Sequence, residues 1–321
     1  MKILIIPGLT LPEVSEQDLE RIRNAAGPGA EVVVSEQRDA EQHAEGVEVI
    51  LGLVPPPLFN AATRLRWVHA IASGVDMFLY PEFQNSSVIL SSEKGLVGEH
   101  LADHGFGLLL MLTRQLAAAH ELGPESWNHR PRLRAEEIEL TGLTMGIIGF
   151  GGTGRAMARR AAAFGMTVRA LDRDAVPTSP DVPRIEPASA LPELLAESDV
   201  IAVCCPLTHE TRNLLDGDAF AQMKPGAFLV NVTRGEVMDE TALISACKTG
   251  RLRGAALDVA PREPLPADSE LWRLPNVVMT PHTAGASQYR ASRNMERFII
   301  NLECLTAGRP LQGVIDKVLG Y

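Results

Sequence analysis

The 32-residue stretch LTMGIIGFGGTGRAMARRAAAFGMTVRALDRD, residues 143–174, constrains the fold of this chain more tightly than any other. An apolar run enters a cluster of glycines, an alanine-rich run leaves it, and a second apolar run ends in the acid Asp172. That is the length and order of one strand–helix–strand unit. Within the turn, Gly149, Gly151 and Gly154 fall in the pattern G-x-G-x-x-G. The spacing alone is weak evidence, because glycine-rich turns are common; the strand before it and the helix after it give it meaning. One glycine makes the turn, one lets a pyrophosphate approach the backbone, and one lets helix and strand pack closely. The start of the helix adds unpaired N–H groups and a positive dipole end for the phosphates. Asp172 lies eighteen residues past Gly154, where a carboxylate accepts hydrogen bonds from an adenosine ribose.

The same alternation runs along the whole chain. KILIIPG, EVVVS, VEVILGL, LRWVHAIAS and SVILSS read as strands before the glycine turn; DVIAVCC, AFLVNV, RGAALDV and NVVMTP read as strands after it. SEQDLERIRNAAG reads as a helix, with Ser15 as its N-cap, Asp18 at the capping-box position and Gly27 as its stop. Strands alternating with helices imply mainly parallel sheets covered on both faces. One long apolar helix is expected over roughly 97–121, then a polar, irregular loop over 123–140, and helix again beyond Gly285. At 321 residues the chain exceeds one ordinary core, so two domains are expected.

Composition narrows the classes of partner. Hydrophobic residues make up 45% and charged residues 22%, the balance of a soluble globular protein. A formal charge of −10, spread without a long acidic block, argues against nucleic acid. No uncharged apolar run reaches membrane-spanning length, and MKILIIPG is too short an apolar start for a secretory signal, so no membrane partner is expected. Cys204, Cys205, Cys247 and Cys304 lack metal-like spacing and read as reduced thiols of a cytoplasmic protein. His100 and His104 stand one helical turn apart, yet no further ligand cluster accompanies them, and no metal site is expected.

The chemistry gathers where strands end. In FLVNVTRGE, residues 228–236, an apolar strand delivers Arg234 just past its end, and Gly235 reads as a tight turn. A guanidinium beside a sheet core needs a negative or strongly polar partner. Asp258 ends GAALDV, Glu263 follows in APREP, and His282 follows VVMTP. Ligands of open α/β sheets sit at the carboxyl ends of the strands, the edge these residues share. Moving a hydride from a nicotinamide to a ketone creates an alkoxide, which needs a proton donor; His282 suits that task, and Glu263 would hold its ring. Arg234 would bind the carboxylate of a 2-oxo acid and polarise its carbonyl, a task for a fixed planar fork.

With these motifs the chain resembles the D-isomer-specific 2-hydroxyacid dehydrogenase family along nearly its whole length. The marks are GIIGFGGTG, CCPLTHETRNLL, MKPGAFLVNVTRGEVMDETAL, GAALDVAPREPLP and VVMTPHTAGAS. The resemblance implies an α/β fold of two Rossmann-like or flavodoxin-like domains, with the NAD-binding domain (98–286) inserted into a discontinuous substrate-binding domain (1–97 and 287–321). It implies Arg234, Glu263 and His282 as the catalytic trio. The cofactor would meet Gly149, Gly151, Gly152, Thr153, Gly154, Asp172, Cys205, Val232, Thr233, Arg234, Asp258, His282 and Gly285. Asp258 would contact the nicotinamide carboxamide. The substrate would meet Ser73, Gly74 and Val75, whose amides would hold its carboxylate, together with Arg234 and His282. NAD is the expected cofactor, with NADP disfavoured by Asp172; the expected partner is a small 2-oxo or 2-hydroxy acid. The helix over 97–121 would form much of a homodimer interface.

Two departures from the family pattern stand out. Gly152-Thr153 replaces a basic residue followed by isoleucine, and Gly98 stands where alanine precedes a Glu-His pair, a change to which the sequence assigns no consequence. Two other readings share the scaffold: a phosphite-oxidising enzyme, disfavoured because Ser73 stands where those members carry lysine, and a nucleotide-sensing corepressor-like binding protein. Formate dehydrogenases pair the histidine with glutamine, so Glu263 argues against that activity.

Overall fold

A computed structural model describes all residues, 1–321. The chain divides into two compact units, one of residues Met1–Val97 and Ala286–Tyr321, the other of residues Gly98–Gly285.

The first unit is built on a five-stranded parallel sheet, β1 (Lys2–Ile5), β2 (Glu31–Val34), β3 (Val47–Leu51), β4 (Trp67–His69) and β5 (Ile89–Ser91), in the order β2-β1-β3-β4-β5. Alternate side chains feed opposite layers, as strand geometry requires. Leu4 and Ile50 pack on one face with Leu58 and Phe83; Ile3, Ile5, Val49 and Leu51 pack on the other. The C-terminal helix, Arg290–Thr306, closes that second face with Met295, Phe298, Ile299 and Leu302. Helix α1 (Glu16–Ala26) lies on the same face and starts where Ser15 accepts a hydrogen bond from the Asp18 amide at 3.1 Å. Short helices α2 (Pro56–Ala61) and α3 (Pro81–Gln84) cover the opposite face.

The second unit carries seven parallel strands: β6 (Thr144–Ile148), β7 (Thr167–Asp172), β8 (Ile185–Pro187), β9 (Val200–Val203), β10 (Ala227–Asn231), β11 (Leu252–Leu257) and β12 (Val277–Met279). Their order, β12-β11-β10-β9-β6-β7-β8, reverses direction beside β6, which makes a crevice at the carboxyl ends of β6 and β9. Helices α4 (Gly98–Thr113) and α7 (Gly152–Ala163) cover one face through Ala102, Phe106, Leu109 and Met157. Helices α8 (Leu191–Glu197), α9 (Gly217–Gln222) and α10 (Glu240–Lys248) cover the other through Leu194, Phe220 and Leu243.

Two sequence expectations fail here. The helix expected over 97–121 ends at Thr113, and α5 (Leu116–Leu122) starts afresh after Gln115, whose φ is 53°. The last carbonyls of α4 are taken from outside the helical ladder. Gln115 Nε2 donates to Leu112 O at 3.1 Å, and the Ile138 amide donates to Thr113 O at 2.7 Å. The apolar pattern runs on through the break, so periodicity could not reveal it. The loop expected over 123–140 contains a 3₁₀ turn, Gly123–Trp127, and helix α6 (Arg130–Glu136). Pro131 sits in the first turn of α6, where its missing N–H costs nothing, and Leu133 is buried.

Candidate active site

Helix α7 springs from the glycine turn, and each glycine there answers a different demand. Gly149 adopts φ 93°, and a Cβ on it would lie 2.7 Å from the Cys205 amide nitrogen. A Cβ on Gly154 would run into the Gly149 carbonyl oxygen. Gly151, the N-cap of α7, would meet nothing at all. Two glycines are therefore demanded by the protein's own packing, whereas Gly151 borders open space beside the amides of Gly152, Thr153 and Gly154. That arrangement fits a pyrophosphate. Gly98 also belongs to this packing. A Cβ there would collide with the Gly152 carbonyl, so the departure that the sequence left without consequence seats α4 against the turn.

At the end of β7, both Asp172 oxygens accept backbone hydrogen bonds, Oδ2 from Phe150 N at 2.7 Å and Oδ1 from Asp174 N at 2.9 Å. The carboxylate is thereby aimed beside the turn with lone pairs to spare. Arg173 is exposed, and its Nη1 reaches Glu210 at 3.2 Å. Cys205 lies buried after β9, and burial pushes its thiol up to about 12, so it offers surface but no thiolate.

Neighbouring strands β10, β11 and β12 deliver the remaining groups. After β10, Asn231 Oδ1 accepts from the Thr233 amide and hydroxyl, each at 3.0 Å, and its Nδ2 donates to Arg234 O at 2.9 Å. This buried asparagine, which no motif in the sequence marks, ties the turn holding Val232, Thr233 and Arg234. Arg234 is half-buried and its Nη1 donates to Thr233 O at 2.9 Å. Gly235 opens the tight 3₁₀ turn Gly235–Val237, and it also serves close approach: a Cβ would strike the backbone of Ala260 and Pro261. The loops after β10 and β11 are thus pressed together.

After β11, Asp258 is 1% exposed. Its carboxylate accepts from the Thr280 hydroxyl (2.6 Å), Thr283 N and Ala284 N (both 2.8 Å), and its carbonyl accepts from His282 N at 2.8 Å. His282 sits at φ 54° with Nδ1 2.7 Å from Glu263 Oε2. Glu263 Oε1 accepts from Ala260 N at 3.0 Å, so the carboxylate is fixed at both ends. The ring is thus held through Nδ1. A second residue the sequence did not place here is His104 of α4, whose Nε2 lies 2.7 Å from Thr280 Oγ1. In the first unit, Ser73, Gly74 and Val75 lie in the loop after β4, with Val75 buried.

A strand–glycine–helix crevice bordered by a histidine–glutamate pair on adjacent strand ends calls for comparison with known proteins. The family model for D-isomer specific 2-hydroxyacid dehydrogenase, NAD binding domain, matches residues 106–284. The glyoxylate reductase of Korarchaeum cryptofilum (strain OPF8) is 32% identical over 97% of this chain and 94% of its own. The chain belongs to the D-isomer specific 2-hydroxyacid dehydrogenase family. The glycerate dehydrogenase of Methylorubrum extorquens is 30% identical over 78% of this chain and 79% of its own. Among solved structures, the NADPH-dependent glyoxylate/hydroxypyruvate reductase of Sinorhizobium meliloti, bound to NADP and sulfate, superposes with a TM-score of 0.81 at 27% identity, covering all of both chains. This member of the family is an NAD(P)-dependent 2-hydroxyacid dehydrogenase with two Rossmann-like α/β domains. No helix in it is long and apolar enough to cross a membrane.

Proposed function

We propose that this dehydrogenase interconverts a small 2-oxo acid and the corresponding D-2-hydroxy acid, with His282 as acid and base. The observation that carries the proposal is the His282 Nδ1–Glu263 Oε2 bond of 2.7 Å, with Glu263 itself anchored on Ala260 N. A ring held through Nδ1 presents Nε2 in one direction, which is what proton delivery to a developing alkoxide requires. Bound nicotinamide supplies or receives the hydride. Arg234, steadied by Asn231 and Thr233, draws the substrate carboxylate and polarises its carbonyl. Ser73, Gly74 and Val75 are proposed to hold the carboxylate through their amides. In the reverse direction His282 takes the hydroxyl proton as the hydride leaves.

Phosphates are assigned to the amides of Gly152, Thr153 and Gly154, and ribose to Asp172, which favours NADH over NADPH. Cys205, Val232, Thr233, Asp258 and Gly285 are assigned to the nicotinamide side. We also infer a cytoplasmic homodimer. Its four cysteines are all unpaired, and Leu116 and Trp127 expose apolar surface near α5 and the turn after it.

The test is NADH oxidation against glyoxylate, hydroxypyruvate, pyruvate and phenylpyruvate, run beside His282→Gln. One of these acids should turn over, and His282→Gln should lower kcat by about 10²–10⁴. Turnover that survives His282→Gln would remove the histidine from the chemistry.

A further inference from the structure

His104 has a place in the site that the reaction as written does not use. Its Nε2 is 2.7 Å from Thr280 Oγ1, and Thr280 Oγ1 donates to Asp258 Oδ1 at 2.6 Å. A hydroxyl has one proton, and an ionised carboxylate only accepts. With the Thr280 proton committed to Asp258, His104 Nε2–H must be the donor in the other bond. The same nitrogen stands 3.4 Å from Asp258 Oδ1. His104 therefore holds two members of the group that fixes the loop at the end of β12.

That group has one visible effect. Asp258 grips residues 280, 282, 283 and 284, through its carboxylate and its carbonyl. His282 lies within this grip at φ 54°, the left-handed region that residues with a Cβ seldom adopt. The bond from its ring to Glu263 sets the ring's outer end; the backbone conformation is set by the clamp. The acidic residues of α4 face elsewhere: Glu99 and Asp103 pair with Arg159 and Arg160 of α7.

We propose that His104 is a positioning residue. Through Thr280 and Asp258 it fixes the backbone of residues 280–284, and so the aim of the His282 ring at the substrate oxygen. The proposal rests on His282 being the acid/base of the reaction.

The test assays His104→Ala, His104→Asn, His104→Gln, Thr280→Val and the double variant His104→Ala/Thr280→Val, using NADH and the acid of the panel above that turns over fastest. Glutamine carries its NH₂ as far from the backbone as Nε2; asparagine carries it only as far as Nδ1. His104→Ala should lower kcat by about tenfold or more while KM for acid and NADH moves by less than about threefold, the pattern expected when an interaction made only in the transition state is removed. His104→Gln should recover most of the loss and His104→Asn little. The double variant should fall no further than Thr280→Val, because two residues acting in series are not additive. Unchanged kcat in His104→Ala, equal behaviour of Gln and Asn, or independent losses in the double variant would each overturn the proposal. A loss that follows the fall in melting temperature across the series, with Gln no better than Asn, would overturn it too, by showing a role in folding alone. The underlying reading fails separately, through wild-type turnover in His282→Gln.

Discussion

At the scale of single residues, Arg234 and Asp172 carry the sharpest expectations. Arg234→Ala should cost about 1.5–3 kcal/mol for each charge-assisted hydrogen bond to the substrate that it removes, seen as a fall in kcat/KM for the acid with NADH binding little changed. Arg234→Lys should recover only part, since an ammonium cannot reproduce the planar fork. Near-native kcat/KM in the alanine variant together with weakened NADH binding would make Arg234 a cofactor ligand instead. Asp172 should set a preference for NADH of about tenfold in kcat/KM, worth about 1.4 kcal/mol, because a 2′-phosphate would face its carboxylate. Asp172→Ala should narrow the gap; equal use of NADPH by the unaltered enzyme would hand control of the ribose pocket to Arg173. The sequence exposes residues of this kind because their chemistry is costly where they stand: a guanidinium, two acids and an imidazole at strand ends need a reason. Asn231, Thr280 and His104 stayed hidden because asparagine, threonine and histidine have many ordinary uses. His104 and Thr280 meet at 2.7 Å across most of the chain, and Asn231 works within its own turn, on Thr233 at 3.0 Å; neither contact leaves a mark in the sequence.

At the scale of elements, the glycine turn offers a paired test. Gly154→Ala should destabilise the enzyme by about 1–3 kcal/mol, because its Cβ meets the rigid carbonyl of Gly149. Gly151→Ala meets no protein atom, so it should leave the melting temperature almost unchanged while weakening NADH by about tenfold, or about 1.4 kcal/mol. Tight NADH binding by Gly151→Ala would move the pyrophosphate away from this turn. Strands and their parallel pairing were legible because buried parallel strands are short, continuous apolar runs with marked ends. The break between α4 and α5 was not legible. It depends on Ile138, 25 residues downstream of Thr113, donating its amide to the Thr113 carbonyl. Nor was α6 foreseen, since RPRLRAEE has charge on most positions and only Leu133 to bury.

At the scale of the whole molecule, acid should act first on the unit that contains His69. This ring is 0% exposed on β4, its Nδ1 is 2.7 Å from Ser91 Oγ, and burial lowers it from 6.5 to about 3. Between those values the unfolded chain takes up a proton that the native chain refuses. Stability therefore falls as pH drops from 6.5 toward 3, by at most about 1.4 kcal/mol per pH unit from this group. His69→Leu should flatten that slope in urea melts across the window; an unaltered slope would assign the acid sensitivity to other groups. The division of the chain has a consequence in time. Residues 98–285 form one compact unit from a single continuous segment, whereas the other unit needs both the first 97 residues and the helix Arg290–Thr306. Domains ordinarily fold in the order in which they leave the ribosome. Here the order should invert: the segment made second can complete itself first, while β1 to β5 wait with the Trp67 face uncovered until Phe298 emerges to stack on it. Pulse-labelled hydrogen exchange during refolding should show amides of β6, β9 and β10 protected before those of β1 and β3, and a chaperone that recognises apolar sheet should find its client in the earliest-made part of the nascent chain.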